Sequence, residues 1–188
     1  DISSFKPFAL ATVAAYNTFP SKGVYVSPIF VTRIEDNMGN VLGEFNNQKR
    51  EAVSEYTAYL MANLMQGVVN TGTGYALRSR FALTGEMAGK TGTTNNNSDG
   101  WFMGFTPSLV SGCWVGGEDR DIHFDGMYYG QGASMALPIW GLYMNKVYAD
   151  KSLGYSQEET FRIPEDYDPC KSISEVEMHM QELEELFQ

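Results

Sequence analysis

The chain has 188 residues, with 13 lysines and arginines against 23 aspartates and glutamates, and therefore a formal net charge of −10. This length predicts one globular domain with room for a tail. Apolar residues make up 43% and charged residues 19% of the chain, which is typical of a folded domain and excludes a disordered one. The sequence contains neither a long apolar run nor a basic-then-apolar opening, so it predicts no transmembrane helix and no signal segment.

The acidic residues are concentrated towards the C-terminus. Residues 1–150 have a net charge of −3 and residues 151–188 a net charge of −7. We therefore predict a body over 1–150 and an acidic tail over 151–188. No basic stripe is present, which excludes nucleic acid as a partner. Cys113 and Cys170 form no CxxC pair and have no nearby histidine, so the sequence predicts no zinc site.

The first third of the chain predicts a helix, a strand and a hairpin. Serines at 3 and 4 precede an alanine-rich run with an early proline, which predicts a helix ending near Phe19. Residues 24–34 are typical of a strand, and turn residues at 35–40 followed by 41–45 predict a β-hairpin. A second helix should begin at Ser54. Its apolar positions recur every three or four residues and predict a buried stripe: Thr57, Leu60, Met61, Leu64, Met65 and Val68.

The remainder predicts an antiparallel sheet followed by a helix. A short helix is expected at 75–80, and three strands joined by polar turns at 87–93, 101–105 and 109–116. A polar loop at 118–132 leads to a third helix over 133–148, whose expected buried residues are Met135, Ile139, Leu142, Tyr143 and Met144. The tail should be extended, with a short acidic helix at 174–188. The fold class is thus α+β, an antiparallel sheet packed with helices.

The sharpest local motif is Lys90-Thr91-Gly92-Thr93, at the end of the first of the three strands. It presents one ammonium and two hydroxyls beside a glycine. An extended substrate could lie against such a strand and pair with its backbone, while the ammonium attracts a carboxylate and a hydroxyl orients it. As an isolated tetrapeptide the motif is only weak evidence for a substrate site.

Three competing sites fit the sequence less well. A phosphate-binding loop requires a glycine at position 84, where the chain has Thr84, and a helix where it has a polar turn. A calcium loop counted from Asp121 has Gly132, not an acid, at its twelfth position. The two histidines, His123 and His179, lie in no setting typical of a Ser-His-Asp triad, and we assign His123 to a solvated loop.

Several segments together resemble the transpeptidase domain of class A, bifunctional penicillin-binding proteins. The strongest similarity lies in residues 88–95 (AGKTGTTN), 99–107 (DGWFMGFTP) and 114–116 (WVG). Further similarity is found in the first helix and strand, the hairpin, the second helix with its glycine turn at 72–74, and the last helix. The resemblance covers about residues 1–150 and implies the penicillin-binding, serine β-lactamase-like fold.

The chain also departs from that family's pattern. The family has a nucleophilic serine in Ser-x-x-Lys and a second Ser-x-Asn, both before the lysine motif, and this chain has no Ser-x-Asn. Its one Ser-x-x-Lys runs from Ser3 to Lys6, in a segment that resembles a helix well beyond the family's nucleophile, so we interpret it as a chance match. We therefore expect a partial domain that lacks the nucleophile, the glycosyltransferase domain and the membrane anchor.

The resemblance implies a parent enzyme that cross-links peptidoglycan. Its serine would attack the D-Ala-D-Ala end of a stem peptide, and β-lactams would acylate the same serine. Lys90 would supply positive charge, Thr93 would bind the substrate carboxylate and complete an oxyanion hole, and Thr91 and Gly92 would shape the strand. The resemblance implies no metal or organic cofactor, and it implies that the parent lies at the periplasmic face of the inner membrane or at the outer face of a single membrane.

The expected partners are stem peptides, β-lactams and the missing N-terminal half of the domain. Self-association through an unpaired strand edge is also expected. A non-catalytic cell-envelope binding module and a serine β-lactamase-like hydrolase remain open as alternatives.

Overall fold

The computed structural model describes residues 7–168, which form a three-stranded antiparallel sheet with helices on both faces. The helices are α1 (Pro7–Tyr16), α2 (Glu55–Asn70), α3 (Ala76–Ser79), α4 (Met127–Gly130) and α5 (Gly132–Ala149). The strands are β1 (Val24–Val26), β2 (Arg33–Glu35), β3 (Val41–Glu44), β4 (Lys49–Glu51), β5 (Ala88–Thr93), β6 (Asp99–Phe105) and β7 (Val110–Gly116). Single 3₁₀ turns lie at Asn95–Asn97 and Lys151–Leu153. The predicted α+β class is confirmed.

The central sheet has the order β5-β6-β7, with antiparallel pairing throughout. Lys90 pairs with Met103, which in turn pairs with Gly112, so these three residues share one sheet face. Because side chains alternate along a strand, Thr91 and Thr93 lie on the opposite face. The three predicted strands and their antiparallel order are therefore confirmed.

Helix α5 covers the face of the sheet that carries Thr91 and Thr93. Trp140 of this helix is buried against Phe102, with ring centroids 5.2 Å apart and the rings edge to face. Its indole N–H donates to Ser111 Oγ at 2.8 Å. A Cβ on Gly104 would lie 2.5 Å from the same indole ring, so only glycine admits this packing. Close-packed aromatic burial of this kind stabilises a fold by several kcal/mol, since Trp→Ala changes in cores cost ~3–5 kcal/mol.

Helix α2 begins where the sequence predicts but buries a different face. Ser54 is the N-cap, and its side chain accepts a hydrogen bond from the Thr57 N–H at 3.1 Å. The predicted stripe is only partly confirmed: Met65 is buried and Leu60 and Val68 are half-buried, whereas Thr57, Met61 and Leu64 are exposed. The helix instead packs through Ala58, Ala62, Met65 and Val69. Small alanine side chains let α2 approach the sheet closely, whereas the periodicity of the larger residues pointed to the neighbouring face.

Helix α5 shows the same kind of discrepancy. Its bounds and the burial of Met135 and Met144 match the prediction, but Ile139, Leu142 and Tyr143 are exposed. The face that contacts the sheet and α3 contains Ala136, Leu137, Trp140, Gly141, Met144 and Val147. A large tryptophan and small residues interlock with the glycines of β6, so the size of neighbouring residues decides which face is buried.

The segment between α1 and α2 forms two small antiparallel ribbons. The run at 24–34, predicted as one strand, is divided into β1 and β2 by an irregular stretch that contains Pro28. β1 pairs with β4, and β2 pairs with β3 in the predicted hairpin. Asp36 closes that hairpin turn by accepting hydrogen bonds from the backbone of Met38 and from Asn40.

The chain beyond α5 continues along the body as far as residue 168. Gln157 accepts hydrogen bonds from the N–H groups of Thr84 and Gly85, and buried Phe161 packs edge to face on Phe105. Tyr167 packs on Tyr59 of α2.

The division of the chain into 1–150 and 151–188 stays a prediction. The acidic helix predicted at 174–188 lies outside the described residues, as do Cys170 and His179. Within residues 7–168, no helix is long and apolar enough to cross a bilayer.

Candidate active-site groove

A groove of about 340 Å³ runs beside the lysine motif. Its floor is the stretch from Lys90 to Thr94, and one wall is formed by Trp101 and Met103 of β6. Thr12 and Tyr16 of α1 form the other wall. The groove thus places an apolar, aromatic surface beside one cation and several hydroxyls, a composition typical of small-molecule and peptide sites.

Strand β5 is the edge strand of the central sheet. It pairs with β6 on one side, and no strand of the described chain pairs with its other side. Its first residues, Ala88 and Gly89, are buried, and Ala88 packs in one cluster with Ala62 and Met65 of α2. From Lys90 onward the strand is exposed or half-buried. The lysine motif therefore lies where helix cover ends and backbone groups of an edge strand are accessible.

Lys90 projects from the groove face of β5, beside Met103. Its side chain is exposed, and its ammonium donates to the Thr91 carbonyl oxygen at 2.8 Å. No carboxylate forms an ion pair with Lys90 among the described residues, whose salt bridges involve Lys22 and Arg33. The positive charge is consequently available to an anionic ligand in the groove. Across the groove, burial raises the pKa of Tyr16.

Thr91 is held by a residue that the sequence analysis recorded only as part of a glycine turn. The Thr91 hydroxyl lies 2.8 Å from the hydroxyl of Thr73, in the turn that follows α2. This hydrogen bond joins the turn after α2 to the middle of the lysine motif. Because the two residues are 18 positions apart, no local sequence pattern predicts the contact.

Thr93 lies at the N-terminus of α5. The Gly132 N–H donates to Thr93 Oγ1 at 3.0 Å. A Cβ on Gly132 would lie 2.3 Å from the Gly92 carbonyl oxygen and 2.5 Å from that of Trp101, so the absence of a side chain lets the helix end reach the strands. Since the Thr93 oxygen accepts from Gly132, its own O–H remains able to donate to a ligand oxygen.

The turn that follows Thr93 is closed by Asp99, a residue singled out in the sequence only as part of the family resemblance. One carboxylate oxygen accepts from the Trp114 indole N–H at 2.9 Å, and the other lies 3.2 Å from the hydroxyls of Thr94 and Ser98. The Asp99 N–H donates to Thr94 Oγ1 at 2.9 Å. Together these contacts bind the two ends of the turn to each other and to β7.

The same turn contains two residues in the left-handed region. Asn96 has φ of 62° and Asn97 has φ of 55°. Asparagine tolerates this conformation better than other residues with a Cβ, but the left-handed region still costs about 1–2 kcal/mol per residue. Asn97 is further held by Phe124, whose N–H donates to its carbonyl oxygen at 3.3 Å. The turn therefore depends on contacts from outside it.

The remaining candidate residues do not join the groove. His123 is exposed in the loop after β7, as expected, and its Nδ1 lies 3.1 Å from the Phe124 carbonyl oxygen. Cys113 is half-buried on β7, and burial raises the pKa of its thiol. Within residues 7–168 no group of histidine, cysteine and acidic residues could hold a metal ion. The Ser-x-x-Lys stretch, from Ser3 to Lys6, lies outside the described residues.

Comparison with known families identifies the class of this fold and groove. The family model for the penicillin binding protein transpeptidase domain matches residues 9–112, more than half of the chain. This match includes most of α1, all of α2 and the whole lysine motif. The chain therefore belongs to the penicillin-binding protein transpeptidase family.

Among individual proteins, the chain is 34% identical over 157 residues to penicillin-binding protein 1A of Aquifex aeolicus, covering 78% of this chain and 21% of that protein. It is also 34% identical over 141 residues to penicillin-binding protein 1A of Neisseria lactamica, covering 72% of this chain and 17% of that protein. The chain thus spans about a fifth of the length of these relatives. Both are penicillin-binding proteins 1A, in line with the predicted class A resemblance.

Solved structures show the same fold. The structure of penicillin-binding protein 1A from Haemophilus influenzae superposes with a TM-score of 0.70 at 22% identity, covering 84% of this chain and 28% of that one. The penicillin-binding protein PonA1 from Mycobacterium tuberculosis gives a TM-score of 0.66 at 27% identity, covering 84% of this chain and 42% of that one. The predicted fold, that of a partial penicillin-binding transpeptidase domain, is confirmed.

Proposed function

We propose that this chain supplies the substrate-binding half of a peptidoglycan cross-linking D-Ala-D-Ala transpeptidase. The single observation that carries the proposal is the exposure of the lysine motif on an edge strand beside a groove. An extended peptide can add to such an edge through main-chain hydrogen bonds, while pockets on either side of the strand bind its side chains and give specificity. A stem peptide is a ligand of this shape, and its terminal carboxylate matches the charge of Lys90.

The residues of β5 have different roles in substrate binding. Lys90 attracts the terminal carboxylate and lowers the energy of negative charge that develops during acyl transfer. The Thr93 hydroxyl, fixed by the Gly132 N–H, donates to that carboxylate. The Thr93 backbone N–H contributes to an oxyanion hole, whose individual donors are worth ~3 kcal/mol. Thr91 holds the strand in place through Thr73.

The nucleophile is a serine supplied by the rest of the parent protein. That serine attacks the carbonyl of the penultimate D-alanine, the bond to the terminal D-alanine breaks, and an amine of a second stem peptide later takes the acyl group. The outer edge of β7 is unpaired within the described part of the chain, which supports the addition of further strands from the same domain. We propose that the parent acts at the periplasmic face of an inner membrane, or at the outer face of a single membrane, together with a glycosyltransferase domain and a membrane anchor.

The same site also accounts for the reaction of the parent with β-lactams. They present a carboxylate and a strained amide, so the parent's serine opens the amide while Lys90 and Thr93 hold the carboxylate. The described residues of this chain contain the charged half of the site, and we expect the isolated chain to form no covalent adduct with penicillin because the nucleophile lies elsewhere in the parent.

The test is acylation of the full-length parent protein by fluorescent penicillin, followed as a second-order rate. Lys90→Ala should lower the rate at least ~100-fold, because the site loses the charge that faces both the carboxylate and the developing oxyanion. Lys146→Ala is the matched control, since Lys146 is exposed on α5 away from the groove, and its rate should equal that of the parent.

Two outcomes would contradict the proposal. Equal rates for Lys90→Ala and the parent protein would show that β5 does not face the reacting serine. A labelled band from the isolated chain, lost in Ser3→Ala, would show that the chain carries its own nucleophile. The second result would overturn the assignment of that serine to the rest of the parent while leaving the groove in place.

A further inference from the structure

The Asp99 carboxylate links three parts of the structure, two of which, the ends of the turn, also meet through the hydroxyls of Thr94 and Ser98, 3.0 Å apart. It joins β7 through Trp114, the start of the turn through Thr94, and the end of the turn through Ser98. Ser98 is buried and Thr94 and Asp99 are half-buried. Water therefore competes only weakly for the groups that form these hydrogen bonds. Gly116 leaves room for the carboxylate, because a Cβ there would lie 2.6 Å from Asp99 Oδ1.

This linkage acts directly on the residue next to Thr93. Thr94 is adjacent to Thr93, and its side chain and backbone both bond to Asp99: the Thr94 N–H donates to the Asp99 carbonyl oxygen at 3.1 Å. The intervening turn contains the left-handed Asn96 and Asn97, and it cannot keep its shape through local preference alone. Release of the Asp99 carboxylate would therefore let the end of β5 shift relative to the N-terminus of α5.

We propose that Asp99 is a positioning residue for carboxylate recognition: it closes the 94–99 turn and thereby holds the Thr93 hydroxyl where the substrate carboxylate needs it. Asp99 is not one of the residues that line the groove, and it acts through Thr94. This inference rests on the proposed function of the groove, and it adds a specificity determinant outside the lysine motif.

The experiment compares acylation of the full-length parent by two β-lactams, one with a free carboxylate and one with that carboxylate esterified. Asp99→Ala should slow the free-acid ligand at least ~5-fold and the ester less than ~2-fold, because a small displacement of an orienting donor weakens only the contact it makes. Asp99→Asn keeps an acceptor for the Trp114 N–H and should restore more than half of the free-acid rate.

The matched control is Asp36→Ala. Asp36 also closes a turn by accepting hydrogen bonds from two backbone N–H groups and a side-chain amide, but it lies in the β2–β3 hairpin. Its loss should leave the free-acid to ester ratio unchanged. Where Asp99→Ala does not accumulate as folded protein, Trp114→Phe removes one donor to the carboxylate and should lower the same ratio about 2-fold.

The outcomes separate this inference from the proposed function. A normal free-acid to ester ratio in both Asp99→Ala and Trp114→Phe, with Lys90→Ala still impaired, would refute the positioning role alone. A parallel fall in both rates would show that Asp99 only stabilises the fold and would equally refute it. Unimpaired acylation in Lys90→Ala would refute the proposed function, and the role of Asp99 would fall with it.

Discussion

The close approach of the N-terminus of α5 to the sheet predicts the effect of Gly132→Ala. The added Cβ would lie 2.3 Å from the Gly92 carbonyl oxygen and 2.5 Å from the Trp101 carbonyl oxygen. Ordinary C···O contacts are about 3.3 Å or longer, so the helix end must withdraw by roughly 1 Å. Both obstacles are backbone atoms, which cannot rotate away as a side chain could. The same withdrawal stretches the hydrogen bond from Gly132 to Thr93 Oγ1, which is 3.0 Å long.

Two opposing effects decide the magnitude. Overpacking of this kind costs about 1–3 kcal/mol, and loss of the hydrogen bond costs ~1 kcal/mol more. Alanine is the better helix former by up to ~1 kcal/mol, and less than that at the first position of a helix. The clash prevails, and the free energy of unfolding should fall by about 2 kcal/mol.

Urea unfolding measures this change, followed by the fluorescence of the three tryptophans at several protein concentrations to allow for self-association. With a slope of about 2 kcal/mol per molar, the midpoint for Gly132→Ala should fall by about 1 M. The matched control is Gly67→Ala in the last turn of α2, where nothing lies within 4 Å of the added Cβ. It should raise the midpoint by about 0.5 M, because propensity acts there without a clash. A Gly132→Ala protein as stable as the native chain would refute the reasoning.

Three further predictions concern the cap of α2, the hairpin and the thiol. Ser54→Ala removes the acceptor for the Thr57 N–H and should lower the free energy of unfolding by about 1 kcal/mol in the same urea assay, whereas an unchanged midpoint would contradict the cap. Hydrogen bonds, chiefly from the Asn40 side chain, hold the pKa of Asp36 below its ordinary value; their stabilisation of the hairpin is therefore complete above about pH 4 and lost as pH falls through the lowered pKa. A pH titration by NMR should show the Asn40 amide shifting only in that acidic range, and a shift centred above pH 5 would contradict this. Because burial raises the pKa of Cys113, iodoacetamide should alkylate it at pH 7 at least ~10-fold more slowly in the folded chain than in urea; equal rates would show an accessible thiol.

Local chemistry predicted the elements well where the signal was a cap, a turn or a strand pattern. Ser54 marks the start of α2, and the turn residues around Asp36 mark the hairpin. The alternation in β5–β7 and their short connections gave the antiparallel order. Each of these signals acts between residues close together in sequence, so a single sequence contains it.

The buried faces and the shape of the site could not be predicted in the same way. Leu64 fits an apolar stripe by spacing, but Ala62 is the residue that packs, because close approach to the sheet favours small side chains. The lysine motif was found from its residue types. The contacts that hold it, from Thr73, Asp99 and Gly132, come from positions brought together by the fold. Those contacts depend on tertiary packing, which spacing does not encode.

The most direct test of the central claim, that Thr93 on the edge strand binds the substrate carboxylate, is the effect of Thr93→Val in the full-length parent protein. Valine keeps the shape of threonine and deletes the hydroxyl. Acylation by a β-lactam with a free carboxylate should slow ~10-fold or more, since a hydrogen bond to a charged group is worth roughly 1.5–3 kcal/mol, while acylation by the esterified ligand should hardly change. His123→Ala, in the exposed loop after β7, should change neither rate. Equal slowing of both ligands by Thr93→Val would contradict the account.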